Sequence, residues 1–248
     1  MKISIITVAL NSAEFLEQCI LSVINQSYQD IEYIVIDGGS DDSTMSILNR
    51  YKNHIDILVS EKDLGIYDAM NKGISLSSGD IIGTLNSDDF FSDNTVIEDV
   101  VRSFRKEKID IVYGDLCYVK RHQTDFIVRN WKSKVYSRLS MSWGWMPAHP
   151  TFYARRELFN NYGSYNLEFN SAADYELMLR FMYLNKRKAH YLNRIFVIMR
   201  LGGISNRTLI TRLSATRNDY NALIINGIQW PMLKVVVKPL RKICQFFN

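Results

Sequence analysis

Ile81-Ile82-Gly83-Thr84-Leu85-Asn86-Ser87-Asp88-Asp89 decides how the rest of this 248-residue chain is read. An uncharged, partly β-branched run, opened by Gly79-Asp80, ends abruptly in two adjacent carboxylates. A short apolar run with that punctuation predicts a buried strand. A strand apolar on both faces belongs in a parallel sheet covered by helices. In open sheets of this kind ligands sit outside the carboxyl ends of the strands, where Asp88 and Asp89 stand. Two carboxylates this close repel each other unless a cation or hydrogen-bond donors hold them. A hard, oxygen-seeking cation, Mg²⁺ or Mn²⁺, bridging to substrate phosphates meets that need. The competing reading, an Asp-rich turn capping a helix that begins near Asn94, requires only one Asp.

Upstream, Lys2 to Ala9 reads as a continuous apolar strand. Asn11 and Glu14 have the spacing of an N-cap and its reciprocal partner, and Phe15, Leu16, Cys19, Ile20, Val23 and Ile24 follow at helical spacing. Ile31 to Ile36 is a second strand ending at Asp37. The turn Gly38-Gly39-Ser40-Asp41-Asp42-Ser43 leads to a helix from Thr44 to Tyr51. Ile55 to Val59 is a third strand, and Gly65 to Ser77 holds a turn and a helix. Strands alternating with helices at this spacing are βαβ units of a parallel sheet, with right-handed crossovers placing helices on both faces. Polar residues then gather where strands end: Thr7, Asp37, Asp63, Asp88 and Asp89. Such a rim suits a nucleotide, one carboxylate taking a base N–H, another a ribose hydroxyl, and a metal the diphosphate. Asp37 also suits an Asx-turn opening the Gly38-Gly39 bend.

The bulk numbers bound the classes. At 47% hydrophobic and 23% charged residues the composition is that of a soluble globular protein with a sizeable core. A net charge of +4 is too mild to argue for nucleic acid, and no nucleic-acid partner is expected. No apolar run is long enough to span a bilayer. The start, Met1-Lys2-Ile3-Ser4-Ile5-Ile6, lacks a signal-peptide cleavage pattern, so a cytoplasmic protein is expected. Cys19, Cys117 and Cys244 are odd in number and scattered, which argues against a disulfide framework or a Cys metal site. No G-x-G-x-x-G follows the first strand and no G-x-x-x-x-G-K-[ST] occurs, excluding a typical dinucleotide dehydrogenase and a P-loop enzyme.

Four stretches in this order resemble the family 2 glycosyltransferases: Ser4-Ile5-Ile6-Thr7-Val8 through Asn11; Tyr33 to Thr44, with Asp37-Gly38-Gly39-Ser40-Asp41-Asp42-Ser43; Asp63-Leu64-Gly65-Ile66-Tyr67-Asp68-Ala69-Met70-Asn71-Lys72-Gly73-Ile74; and Gly79-Asp80-Ile81-Ile82 through Asn86-Ser87-Asp88-Asp89. The third is similar to bacterial members that build lipopolysaccharide, capsule or exopolysaccharide. The resemblance implies an α/β GT-A fold, Rossmann-like, with a mostly parallel sheet, helices on both faces and a C-terminal helical extension. It implies a nucleotide-sugar donor, UDP-linked by preference, and Mn²⁺ or Mg²⁺. It puts Thr7 and Asp37 at the nucleotide base, Asp88 at the ribose and Asp89 on the metal, with Asp63 also at the donor. Many members have Asp where this chain has Asn86, which removes one charge from the acidic motif.

Downstream, Asn94 to Lys106 reads as a helix and Ile109 to Val119 as a strand. Arg129-Asn130-Trp131-Lys132 and Met141 to Pro150 read as aromatic and polar loops. Trp143, Trp145, Met146 and His149 form either an acceptor groove, with sugar stacked on rings, or plain core. His149-Pro150-Thr151-Phe152-Tyr153 resembles a recurrent segment of these bacterial enzymes, His149 serving phosphate, acceptor or structure. Ser171-Ala172-Ala173-Asp174 opens an apolar helix. Asp174 is either a capping-box acid or, as the family segment implies, the general base, with Glu176 as the alternative. A helix N-terminus favours the ionised form a base requires. A strand from Ala189 to Ile198 leads to Met199-Arg200-Leu201-Gly202-Gly203-Ile204-Ser205, which resembles a family segment near the donor; the resemblance implies that Arg200 meets diphosphate oxygens, the alternative being an ordinary surface salt bridge.

A helical pattern runs from Arg207 to Ile225. Leu233, Val236, Val237, Leu240, Cys244 and Phe247 follow, with Lys234, Lys238, Arg241 and Lys242 between them and Pro239 dividing the segment. A basic amphipathic tail lies on an anionic membrane surface or docks on the domain. The expected organisation is a glycosyltransferase domain over 1–205 and a helical extension over 206–248. The activity that the resemblance implies is inverting transfer of a sugar to a hydroxyl of a glycan or lipid-linked saccharide acceptor. The rivals are a nucleotidyltransferase, disfavoured because Thr7-Val8-Ala9-Leu10-Asn11 stands where its Gly-rich basic loop belongs, and a non-catalytic sugar-binding module.

Overall fold

The computed structural model describes residues 1–106, 108–202 and 209–235, without the side chains of 209–215. In chain order it contains β1 (Ile3–Ala9), α1 (Leu16–Ile24), β2 (Ile31–Asp37), α2 (Thr44–Arg50), β3 (Ile57–Ser60), α3 (Ile66–Leu76), β4 (Ile81–Asn86), β5 (Phe90–Phe91), α4 (Val96–Lys106), β6 (Ile111–Lys120), β7 (Gln123–Trp131), α5 (Arg138–Ser142), β8 (Tyr153–Arg155), α6 (Arg156–Tyr162), α7 (Ala173–Met178), β9 (Ala189–Arg200) and α8 (Leu209–Ile225). The described strands form one sheet in the order β3-β2-β1-β4-β8-β6-β9-β5, with β7 hydrogen-bonded to β6. β1 to β4 pair in parallel, β8 runs antiparallel to both β4 and β6, and β6 pairs with β9 in parallel.

Alternation along the strands separates two cores. Ile3, Ile5 and Ala9 of β1 face α1, α2 and α4. Ile6 and Val8 face the opposite layer with α3, α6, α7 and α8. The register pairs Ile6 with Thr84 and Val8 with Asn86, so Thr84 and Asn86 belong to that second face. β4 must be thin on its other side: a Cβ at Gly83 would lie 2.2 Å from Cε1 of Tyr153 in β8. Glu32 ties the start of the sheet together. Its carboxylate takes hydrogen bonds from Lys2 Nζ (2.9 Å), Ser4 Oγ (2.6 Å) and the Ser78 amide (2.7 Å).

Several elements differ from expectation for identifiable reasons. Asn11 is no N-cap. It adopts a left-handed backbone (φ 48°), its Oδ1 takes the Asp41 amide, and α1 begins only at Leu16. Arg129-Asn130-Trp131 is strand, not loop, because β7 folds back on β6 as a hairpin with an exposed outer face. β9 continues two residues past Ile198 and so absorbs Arg200. The helix opened by Asp174 passes at Leu179 into a π-type turn reaching Leu184. No helix among the described residues is long and apolar enough to cross a membrane.

Candidate active site

The carboxyl ends of β3, β2, β1 and β4 make one rim. Asp37 pairs in register with Ala9, and Asn86 with Val8. At about 4.8 Å per strand spacing, Asp37 and the end of β4 lie roughly 10 Å apart. Asp63 packs beside Gly38: a Cβ there would sit 2.5 Å from Asp63 Oδ2, so a larger residue would push the Asp63 carboxylate aside. Asp63 Oδ1 also accepts the Gly65 amide at 2.8 Å, shaping the turn into α3.

The acid pair stands at the tip of β4. Asp88 is half-buried; Asp89 is fully buried. Among the described residues Asp89 receives two neutral donors, the Arg200 amide on Oδ1 (3.3 Å) and Asn86 Nδ2 on Oδ2 (3.0 Å). Burial, and then the charge of Asp88, push the Asp89 carboxyl well above the usual range. Burial also raises Asp88, while its own backbone amide, Arg121 and Arg200 pull it back. A buried carboxylate beside a second acid, with no ion pair to either among the described residues, is a place that gains from a cation. The described residues hold no cluster of three or more metal-ligating side chains. A cation there would therefore depend on one or two carboxylates plus oxygens from a bound ligand, a mode usual for Mg²⁺.

A second cluster surrounds Asp174 on the α3–α7 layer. Its carboxylate is half-exposed, and Oδ1 accepts the Tyr175 amide at 2.7 Å. Ser171 caps nothing: α7 has no side-chain N-cap, so the capping-box alternative for Asp174 is not realised. Tyr67 of α3 lies beside Asp174; burial first, then this negative neighbour, hold the phenol protonated. His149 Nε2 lies 2.9 Å from the Tyr165 hydroxyl. Burial lowers the His149 pKa against the opposing pull of Asp174, so the ring is neutral at neutral pH. Tyr165 also brings its phenol near Thr84 of β4. Its backbone is gripped at both ends by Asn71, at 2.8 and 2.9 Å.

Neighbouring residues along one face of β4 link the two clusters: Asn86 donates to Asp89, Asn86 and Thr84 share that face, Tyr165 lies near Thr84 and bonds to His149, and the charge of Asp174 acts on both rings. Glu176, the alternative base, is removed from contention. It is 4% exposed and forms a two-pronged pair with Arg180 at 2.9 and 2.7 Å. Arg180 in turn binds the carbonyls of Tyr162, Gly163 and Ser164, bracing the approach to Tyr165.

Three of the expected donor residues are engaged by other partners in the fold. Thr7 is fully buried on the α1 face, its hydroxyl against Tyr33 (3.2 Å) and Cys19 (3.8 Å), because strand alternation turns it away from the α3–α7 layer. Asp37 is also fully buried. The Gly39 and Ser40 amides and the hydroxyls of Ser40 and Ser60 occupy its carboxylate, which realises the Asx-turn. Arg200 is neither a free phosphate arm nor a surface salt bridge. At 4% exposure it donates to the Asp88 carbonyl (2.6 Å), the Arg121 carbonyl (3.1 Å) and Gln18, sandwiched near Phe15 and Phe90. It fixes the backbone that carries the acid pair. Trp145 is half-buried, edge-on to Tyr113 at 6.0 Å with Lys134 near its ring, at the border of the second core. Sequence reasoning passed over Tyr67, Tyr165, Arg121 and Arg180. Tyr67 lies inside the Gly65–Gly73 run that carried the resemblance; the other three join the site only through long-range pairing.

The model of glycosyl transferase family 2 matches residues 4–165. The chain belongs to that family. It is a glycosyltransferase with the GT-A fold. A PGL/p-HBAD biosynthesis glycosyltransferase of Mycobacterium tuberculosis is 29% identical over 238 residues, covering 92% of this chain and 90% of that protein. Among solved structures, S. aureus TarS superposes with a TM-score of 0.71 at 18% identity, covering 97% of this chain and 43% of TarS. A shorter TarS, residues 1–349, is known in complex with UDP-GlcNAc (TM-score 0.70, 17% identity, 94% and 69% covered). The mannosyltransferase PcManGT of Pyrobaculum calidifontis, in complex with GDP-Man and Mn²⁺, gives 0.63 at 14% identity, covering 98% of this chain and 75% of that one.

Proposed function

We propose that this glycosyltransferase is inverting, and moves a sugar from a nucleotide-sugar, UDP-linked by preference, to a hydroxyl of a glycan or lipid-linked saccharide in bacterial surface polysaccharide synthesis. The observation that carries the reading is the placement of Asp89, Asn86, Thr84, Tyr165, His149 and Asp174 along one side of β4, with Asn86 bonded to Asp89 and His149 bonded to Tyr165. It supports one groove with a diphosphate end and a base end. TarS with UDP-GlcNAc and the mannosyltransferase with GDP-Man and Mn²⁺ support a nucleotide-sugar and a divalent ion here.

In this reading Asp174 accepts the proton of the acceptor hydroxyl, held in place by the Tyr67 phenol and the Tyr175 amide. The hydroxyl oxygen forms a bond to the anomeric carbon as the bond from that carbon to the diphosphate breaks. His149, neutral, and Tyr165 orient sugar or acceptor hydroxyls between the two ends. Asp88 serves the ribose, Asp63 lines the nucleotide rim, and Asp37 acts by holding the Gly38–Ser40 loop rather than by direct base contact. Mn²⁺ or Mg²⁺, held by Asp89 beside Asp88, would offset charge building on the departing diphosphate. Arg121, near Asp88 and paired with Glu14, supplies further positive charge. The catalytic unit spans 1–205, with 206–248 as an extension, and the enzyme works in the cytoplasm in peripheral contact with the membrane.

Thermal-shift screening of nucleotide-sugars with and without Mn²⁺, on wild type and Asp89→Ala, tests the reading. Wild type is expected to be stabilised by one nucleoside-diphosphate sugar only when Mn²⁺ is present, and Asp89→Ala by neither. Equal stabilisation of both proteins, or pyrophosphate release from a nucleoside triphosphate, overturns it.

A further inference from the structure

The basic tail expected over 236–248 lies outside the described residues. A cluster that the mechanism leaves unused lies within them, on β6. Asp115 is 5% exposed, and its Oδ1 accepts the Ser133 amide at 2.7 Å and the Tyr191 hydroxyl at 2.9 Å. Its Oδ2 has no hydrogen-bond partner among the described residues. Ser133, 7% exposed, carries a buried hydroxyl that is likewise without one there. A buried, unpaired hydroxyl next to a half-used carboxylate costs free energy in the fold alone. Both groups gain when a ligand supplies the missing bonds.

Their place on the sheet says which ligand. Ile82 of β4 and Ile111 of β6 both pair with Ala154 of β8, and both strands run antiparallel to β8. Four residues further along each strand, Asn86 and Asp115 therefore stand level, about 10 Å apart across two strand spacings. Ile82, Ile111 and Tyr113 belong to the second core, so alternation turns Asp115 to the face that carries Thr84 and Asn86. The rim at Asp37 and Asp63 lies on the β2–β3 side of β4, and Asp115 lies on the other side, beyond the acid pair. Tyr113, two residues before Asp115, is edge-on to the half-buried Trp145 at 6.0 Å and stacked on Tyr191 at 5.7 Å. Facing Tyr113 to Asp115, β9 runs from Tyr191 to Ile195, a bulge that leaves Asn193 exposed with its Oδ1 3.1 Å from the Tyr191 hydroxyl. Apolar rings around a few convergent polar atoms make a small-molecule site. An ionised carboxylate accepts and never donates, so this one repels phosphate and selects a hydroxyl or an amide N–H.

We propose that Asp115 Oδ2 and Ser133 Oγ, walled by Trp145 and Tyr191, bind the acceptor's sugar ring and select it by one substituent, a hydroxyl or an acetamido N–H donated to Asp115, with the Ser133 hydroxyl completing the pair. This assignment rests on the transferase reading and names, within it, the residues that choose the acceptor. Neither residue touches the reacting atoms: Asp174 takes the proton, and the β6 site holds the ring. The 3₁₀ segment His149–Thr151 joins the two places. Thr151 Oγ1 lies within hydrogen-bond reach of the Gly114 amide (3.3 Å) and carbonyl (3.1 Å) of β6, while His149 bonds to Tyr165 on the β4 side.

The test is saturation-transfer NMR on the full chain with UDP and Mg²⁺, using p-nitrophenyl glycosides of glucose, galactose, mannose, rhamnose, N-acetylglucosamine and N-acetylgalactosamine. Affinities for UDP and UDP-GlcNAc are measured on the same proteins. Wild type is expected to bind at least one glycoside. Asp115→Asn keeps the bonds at Oδ1 but puts a donor in place of Oδ2, and should weaken that glycoside roughly ten- to a hundredfold. Ser133→Ala removes a hydroxyl the fold does not use, so it keeps the test open if Asp115→Asn does not fold. It should weaken the glycoside about three- to tenfold, with a melting temperature no lower than wild type. UDP affinity should stay within about twofold in both variants. Wild type binding no glycoside, glycoside affinity unchanged in either folded variant, or a loss of UDP-GlcNAc but not UDP, which places the donor sugar at Asp115, overturns the proposal. Glycoside binding sensitive to these substitutions without any nucleotide binding supports the site and refutes the transferase reading, so the two failures are separable.

Discussion

Replacing Asp174 by Asn separates chemistry from architecture. The carboxylate is half-exposed and accepts one backbone amide, from Tyr175, at 2.7 Å. An Asn oxygen keeps that bond, and the equal volume opens no cavity against Tyr67 or His149. The fold should therefore persist, with a melting temperature within a few degrees of wild type. What is lost is the basic lone pair. General-base catalysis contributes about 10²- to 10⁴-fold, so the transfer rate should fall by that factor, about 3–5 kcal/mol in the barrier. The donor end at Asp88 and Asp89 is separated from Asp174 by Asn86, Thr84, Tyr165 and His149, and its affinity should change by less than about threefold. Nucleoside-diphosphate release with acceptor present measures the first quantity, and calorimetric titration of the donor measures the second. Asp174→Asn with activity within about fivefold of wild type would refute the base assignment. Loss of donor binding would show instead that Asp174 belongs to the nucleotide site.

Tyr67→Phe removes the phenol beside Asp174; in the proposed mechanism that phenol donates to the working carboxylate, a bond to a charged group worth about 1.5–3 kcal/mol, so transfer should drop roughly ten- to a hundredfold with donor affinity unchanged, read by the same two assays. Glu32→Gln tests the base of the sheet by denaturant unfolding against pH. Burial alone would raise the Glu32 carboxyl, but hydrogen bonds from Ser4, Ser78 and Lys2 outweigh it and lower it from the ordinary 4.5 to about 2. A depressed carboxyl stabilises the fold above pH 4.5 by about 3 kcal/mol at 1.36 kcal/mol per unit, and that contribution disappears as pH falls from 4.5 towards 2. The variant should thus be less stable than wild type at pH 7 and close to it near pH 2; a gap that does not narrow in acid would contradict the assignment.

The parallel half of the sheet was legible because β1, β2 and β4 are apolar on both faces and end in polar residues, and the helices between them carry plain 3.6-residue spacing. The acid pair was legible for a related reason: adjacent charges directly after a buried strand have few structural uses. What the pattern hid lies in long-range pairing. β7 carries its apolar Phe126, Ile127 and Val128 on an exposed hairpin, so its sequence has no strand-like alternation between core and solvent. Arg200 read as a loop residue because nothing local says that β9 runs on to pair with the end of β6 and carry its guanidinium under Phe15 and Phe90. The inward turn of Thr7 follows from β1 alternation, but which face looks towards Asp174 depends on where α7 packs, some 170 residues later. Tyr165 and His149 are 16 residues apart and come beside β4 only because β8, between them, inserts next to that strand.

The central claim is that the acids of one sheet edge and Asp174 serve a single nucleotide-sugar groove. Diffraction from crystals grown with UDP and Mn²⁺, with data collected at the manganese edge, tests it most directly. The account predicts one anomalous peak at the Asp89 carboxylate, with the diphosphate against it and its free end directed along Thr84 and Tyr165 towards Asp174. Manganese bound away from Asp88 and Asp89, or a nucleotide lying on the α1 side with no path to Asp174, would contradict it.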